Sequence, residues 1–422
     1  MKKSLLWILL LFLIALSLQL QQESDKAENN DTDEEDEEDK KVPIFSKDSG
    51  FYDTEFTLEL SSAEGAEIYY TTDSSNPLTS STAKKYTEPI KIYDRSSEKN
   101  VYAEIGDDEN SPTFIGPLGG YKKPTYLIDK AMVVRAYCKN KDGNSKVWTH
   151  TYFVTTGNLA KYQDFTIVSL VTNPEDLFDP ENGLYVVGNG YIAAKQKQGQ
   201  GNNPWGGGGG FGGMFGLMYE SNFYKEGDEW EKETNMAIFE NGEKKVQQNV
   251  GIKIRGFSTK MQAGKSFNVY SKKRFGKKQI KYALFEDNYD KFDKLIEKYK
   301  SIALRNVFAE ERIKDEFANK LLFGREHQVI ADTRKCIVFL NGEYWGFYIM
   351  LEKFSESYIQ SHYGVPKESK STLLLISLNK LSCSTLFVEY SVKKLLYVAS
   401  SLSSPFDNSP SLIKVTDSLG TP

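Results

Sequence analysis

Cys336-Ile337-Val338-Phe339-Leu340-Asn341-Gly342-Glu343-Tyr344-Trp345-Gly346-Phe347-Tyr348-Ile349-Met350 reads as two apolar strands joined by a two-residue turn. Asn-Gly suits a type I′ turn, whose positive φ angles match the twist of the strands it connects. Glu352 closes the second strand. Upstream lies a second hairpin. Asn249-Val250-Gly251-Ile252-Lys253-Ile254-Arg255-Gly256-Phe257-Ser258-Thr259 alternates as a strand ending in a glycine turn, and Gly264-Lys265-Ser266-Phe267-Asn268-Val269-Tyr270 returns as its partner. Lys265 opens that return strand, and Lys272, Lys273 and Arg274 lie just beyond it. A lysine fixed on a hairpin strand can hold nucleotide phosphates, while a solvated basic strand is the plainer reading of this hairpin taken by itself. Between the hairpins, after Leu304-Arg305-Asn306, Ile313, Phe317, Leu321 and Leu322 recur at helical spacing and predict a core-packing helix.

Further upstream, residues 42–156 read as all-β. Phe56-Thr57-Leu58-Glu59-Leu60, Glu67-Ile68-Tyr69-Tyr70-Thr71 and Met132-Val133-Val134-Arg135-Ala136-Tyr137 are separated by Asp73-Ser74-Ser75-Asn76-Pro77 and Lys141-Asp142-Gly143-Asn144, the spacing of a small β-sandwich. Tyr69, Tyr70 and Tyr137 sit in strand patterns, so packing is favoured over sugar stacking. A second domain begins with a buried-type strand, Phe165 to Val171. Pro174 to Phe178 predicts a turn of helix, and Gly183-Leu184-Tyr185-Val186-Val187-Gly188 predicts a strand. The glycine-rich residues 196–218 lack the Gly-Lys-Ser/Thr of a phosphate loop and read as a flexible insertion.

The N-terminus predicts export. Lys2 and Lys3 precede an apolar run too short to span a bilayer comfortably, with small residues at Ala15 to Ser17, so residues 1–17 read as a signal peptide, with an uncleaved anchor as the alternative. Residues 18–41 form an acidic linker with almost nothing to bury and are expected to be disordered. The formal charge of −5 comes mostly from that linker, and neither nucleic acid nor anionic membrane is suggested as a partner. Three cysteines without C-x-x-C spacing support no disulfide framework or zinc site, and three histidines serve a His-built metal centre or Ser-His-Asp triad poorly.

Two resemblances emerge from these pieces. Phe45-Ser46, Gly50-Phe51-Tyr52, Ile68-Tyr69-Tyr70-Thr71-Thr72-Asp73, Asn76-Pro77, Tyr86 with Pro89-Ile90, and Val134-Arg135-Ala136-Tyr137 resemble the chitobiase/β-hexosaminidase C-terminal module, an immunoglobulin-like accessory domain. In residues 160–372, Asp176-Leu177-Phe178, Glu229-Trp230-Glu231, Gly251-Ile252-Lys253-Ile254-Arg255-Gly256, Gly264-Lys265-Ser266-Phe267, Leu304-Arg305-Asn306, Ile313-Lys314-Asp315, Phe339 to Gly346, Glu352-Lys353, Tyr358-Ile359 and Tyr363-Gly364 resemble, in order, the spore-coat protein H (CotH-type) kinase family.

The resemblances imply an α+β chain: an N-terminal all-β immunoglobulin-like sandwich followed by an incomplete atypical protein-kinase-like domain. They imply ATP and a divalent cation (Mg or Mn) as cofactors, and exported Ser/Thr-containing proteins, or a surface polymer, as partners of a secreted or cell-surface protein. Lys265 would correspond to the phosphate-binding lysine, Arg255 to the residue shaping the loop over the nucleotide, and Glu352 to a nucleotide-pocket carboxylate. The family continues past the position of Gly364 into a lobe carrying catalytic and metal-binding aspartates. Residues 373–422 instead become rich in Ser and Leu with few acids, which suggests a frameshifted or mis-spliced tail, impaired phosphoryl transfer and no assignable catalytic residue. The alternative is a non-catalytic surface or carbohydrate-associated binding module.

Overall fold

The computed structural model describes residues 42–62, 65–141, 143–199, 216–306, 317, 321 and 331–365. The signal peptide, the acidic linker, most of the glycine-rich insertion, the tail from 373 and most of the predicted 313–322 helix lie outside the described residues. Phe317 and Leu321 of that helix are helical and exposed.

The expected sandwich is present. Its larger sheet runs in the order Gly50–Tyr52, Trp148–Val154, Met132–Asn140, Glu67–Thr71, Lys84–Lys85, with Gly143–Asn144 folded back on Met132–Asn140. Two-stranded ribbons, Pro43–Phe45 with Leu60–Ser62 and Phe56–Leu58 with Ile90–Ile92, cover it. Alternation decides the faces: Met132, Val134, Ala136 and Cys138 point into a core shared with Leu58, Ile68 and Ile92. Tyr70 packs on this core, and Tyr69 stacks on the buried Tyr137 at 5.6 Å, so all three tyrosines have packing partners. Cys138 and Cys336 are free and buried.

His150 makes this module acid-sensitive. Its ring stacks on Phe45 at 4.0 Å, with Asp48 at 3.5 Å and Lys244 as the other charge acting on it. Burial pushes its pKa from 6.5 to about 4. The unfolded chain therefore takes up the proton first, and stability is lost as pH falls from about 6.5 to about 4, by ~3 kcal/mol for the full shift. Thermal unfolding across that window should show the midpoint falling, and His150→Phe, which keeps the stack, should show a smaller fall. Equal slopes in the two proteins would refute the assignment.

The second half closes into a barrel of seven strands. In order around it are Ile167–Val171, Lys232–Glu240, Glu243–Arg255, Ser266–Tyr270, Ser301–Asn306, Glu343–Glu352 and Thr333–Leu340. The last pairs in parallel with Ile167–Val171; the other pairings are antiparallel. Ile252, Ile254, Phe267, Val269, Ile302 and Met350 fill the interior. Both predicted hairpins form. Asn341 and Gly342 have φ of 50° and 84°, the left-handed pair that a type I′ turn requires.

Pro174–Phe178 is helical as expected. Leu184–Val187 is buried but forms no strand, which corrects the strand expected over 183–188. Leu184 N–H and Tyr185 N–H donate to the carbonyls of Asp176 and Leu177 in the turn just upstream, and Val187 N–H donates to Phe114 O. The apolar run is buried because Phe114 and the barrel cover it, and not because it joins a sheet.

Sandwich and barrel share a third core. Phe153 stacks on Phe51 at 4.5 Å and meets Phe239 and Phe339 edge-on at 5.4 and 5.0 Å. The Asn341-Gly342 turn docks on the sandwich strand: Ala131 N–H donates to Gly342 O at 2.8 Å, and a Cβ at Gly342 would stand 2.7 Å from Ala131 O. Just after the turn, the buried Glu343 carboxylate accepts from Val101, Tyr102 and Ala103 N–H at 2.6, 3.0 and 2.9 Å. It thereby caps the 3-10 turn Tyr102–Glu104 of the long loop that follows the sandwich strand Ile90–Ile92.

Candidate functional site

The loop joining Glu243–Arg255 to Ser266–Tyr270 carries two of the predicted residues at its ends. Gly256 leaves the first strand at φ 116°, and a Cβ on Gly264 would stand 2.7 Å from Asn306 Oδ1. Only glycine suits the first position, and nothing bulkier fits the second without displacing Asn306.

Lys265 is fully buried at the return end. Its Nζ donates to Ile115 O at 2.8 Å, Lys260 O at 2.6 Å and Gln262 O at 3.1 Å, and the ammonium lies 3.9 Å from the centre of the Phe223 ring. An ammonium has three donors, and all three are engaged. Burial, with the nearby Lys260 charge, pushes its pKa well down, against which the three carbonyls and the aromatic face favour the charged form.

Glu352 lies at another place. It is buried at the end of its strand, where Oε1 meets His362 Nε2 at 2.9 Å and Oε2 accepts from Asp332 N–H at 3.2 Å. The His362 ring packs at a tilt on Tyr358, centroids 4.0 Å apart, so Glu352 ties the Glu356–Tyr363 helix to the barrel. Burial, with the Glu352 charge adding to it, raises the pKa of Asp332.

Arg255 projects outward. Alternation puts Lys253, Arg255, Asn268, Tyr270, Arg305 and Lys353 on the outer face, opposite the core residues between them. Arg255 donates to Asn268 Oδ1 at 3.3 Å, and Lys353 Nζ lies 5.0 Å from the centre of the Tyr270 ring. Burial, with Arg305 adding to it, lowers the pKa of Arg255; burial, with Arg255 adding to it, lowers that of Lys353. Lys253, Lys272 and Arg274 are matched by carboxylates. The run 226–231 brings Glu226 to Lys253 at 2.6 Å and Glu231 to Lys272 at 2.7 Å and to Arg274. Among the described residues, no carboxylate reaches Arg255 or Lys353 within ion-pair distance. Each of these half-buried cations thus has its charged form disfavoured by burial and by a neighbouring arginine.

The match to family models is decided on this segment. Residues 252–396 match the CotH kinase protein family, and residues 47–115 match the chitobiase/β-hexosaminidase C-terminal domain. The chain therefore carries a CotH kinase domain behind a chitobiase-type one. No curated protein matches it. The CotH match starts inside the Glu243–Arg255 strand, so the first two barrel strands precede it. It runs past 372, the boundary expected from composition, into residues outside the described part. The chitobiase match stops at Ile115, whereas the sandwich sheet continues to Val154.

The three residues assigned by resemblance thus occupy three places around the barrel. Lys265 is inside beneath the loop, Glu352 is at the helix junction, and Arg255 is on the outer face. Sequence reasoning passed over Lys353, Tyr270 and Asn268, although Lys353 and Tyr270 ended quoted motifs. The signal was period-two alternation carried across four strands at once, which shows itself only once their register is fixed. Among the described residues, no group of three or more His, Cys, Asp or Glu could hold a metal ion. No step is assigned to a divalent cation. Nor, among the described residues, is any helix long and apolar enough to cross a membrane.

Proposed function

We propose that this CotH kinase-related chain binds ATP on the outer face of the barrel, with the phosphates held between Arg255 and Lys353. The observation that carries the reading is the pair of half-buried cations with no carboxylate at ion-pair distance among the described residues, beside Lys253, Lys272 and Arg274, which Glu226 and Glu231 neutralise. Phosphate supplies what that place lacks: Arg255 offers a planar fork and Lys353 a point charge. The CotH kinase match supports ATP as the ligand, and phosphoryl transfer to Ser or Thr of exported coat or surface proteins as the activity in which the site serves. A secreted or cell-surface setting belongs to the same proposal.

Calorimetric titration tests it. ATP should bind wild type, Arg255→Ala should weaken binding about tenfold, and Lys353→Ala should weaken it about fivefold, as expected for loss of one charge-assisted contact each. Adenosine should bind all three proteins alike. Lys272→Ala should change ATP affinity less than about twofold, because Glu231 already neutralises Lys272. A wild-type chain that binds no ATP would favour the binding-module reading instead.

A further inference from the structure

The geometry assigns Lys265 to holding the loop over the nucleotide in place, as a positioning residue that ties that loop to the chitobiase-type half of the chain, and not to contacting phosphate. The inference rests on the ATP reading of the outer face and deepens it. Lys265 collects three carbonyls from two distant segments: Ile115 belongs to the long loop after the sandwich strand Ile90–Ile92, and Lys260 and Gln262 belong to the hairpin loop itself. Around this knot the two segments also bond directly, Leu118 N–H donating to Met261 O at 3.0 Å.

Two tyrosines complete the clamp. Tyr185 Oη donates to Ala263 O at 2.9 Å and accepts from Lys265 N–H at 3.1 Å and Trp345 Nε1 at 3.0 Å. Tyr224 Oη donates to Phe257 O at 2.7 Å. Every carbonyl named in the loop is therefore held from below. Arg255 is the residue before Gly256, so the position of this loop sets where its guanidinium stands. A loop fixed before the ligand arrives costs less ordering on binding. The 101–121 segment thereby becomes part of the phosphate site without touching phosphate, and one lysine transmits it.

Lysine labelling on the unmodified full chain tests this first. With formaldehyde and a borane reductant, Lys265 should resist methylation whether or not ATP is present, while Lys353 should be methylated and then protected by ATP. Ready labelling of Lys265 in the free chain, with protection by ATP, would overturn the proposal. Absence of ATP protection at Lys353 would instead sink the reading of the outer face and leave the Lys265 result standing by itself.

Lys265→Met adds a second readout. Hydrogen exchange at the Leu118 amide and across residues 257–263 should speed up at least about tenfold, because the knot is cut while the side-chain volume is nearly kept. ATP affinity should fall together with that loss of protection, while adenosine affinity, which does not depend on Arg255, should stay unchanged. A selective loss of ATP affinity, with exchange unchanged, would show phosphate contact and refute positioning. If this variant does not fold, Tyr185→Phe, which frees Ala263 O and leaves Lys265 intact, should give faster exchange over 261–265, and the labelling result decides independently.

Discussion

Glu343→Ala should lower the unfolding free energy by about 3–4 kcal/mol, because it strips the acceptor from three backbone N–H groups at once. Val101, Tyr102 and Ala103 all donate to this one buried carboxylate, and two of the three residues are themselves buried. A buried donor left without a partner costs roughly 1–3 kcal/mol, with water recovering part of it. Glu343→Gln keeps an acceptor oxygen but turns an amide N–H₂ toward one donor, so roughly half the loss is expected. Urea unfolding measures the total. Hydrogen exchange should show the amides of 101–103 opening first, which separates loss of this cap from general weakening of the hairpin. A loss under about 1 kcal/mol would mean that the cap adds nothing.

Phe153→Ala should be comparably damaging, at about 3–5 kcal/mol, for a reason of shape and not of charge. Phe153 is fully buried and stands at the centre of an aromatic group drawn from both halves: Phe51 from the sandwich, Phe239 and Phe339 from the barrel. Truncation leaves a cavity walled by rings on two different sheets, which cannot collapse without sliding one half on the other. The same variant also asks whether the two halves unfold together. If they share one cooperative unit, sandwich and barrel probes should move to the same lower midpoint. Separation into two transitions, with only the sandwich destabilised, would show that the shared core couples them weakly.

Those two residues mark what a linear reading could and could not supply. Short-range signals were legible: Asn341-Gly342 fixed a turn and hence a strand pair, and the alternation of Asn249 to Tyr270 fixed another. The run 183–188 was misread because burial on all sides produces the same apolar string in a turn packed under Phe114 as in a central strand. Lys265 was assigned to phosphate through resemblance, and it stands one residue before the strand it was expected to open. What its sequence neighbourhood cannot contain is the carbonyl of Ile115, 150 residues away, which with two loop carbonyls occupies its donors. Arg255 was selected as a nucleotide residue and does stand on the half-buried cationic face, but its companion Lys353 follows the end of a strand nearly 100 positions on. The register between strands, and not any motif, brings them together.

Diffraction from crystals of the chain grown with ATP tests the central claim most directly. Phosphate density should lie on the outer face, within hydrogen-bonding reach of the Arg255 guanidinium and the Lys353 ammonium, with Lys265 still bonded to the carbonyls of Ile115, Lys260 and Gln262. Phosphate density against a Lys265 side chain released from those three carbonyls, with the outer face empty, would contradict it.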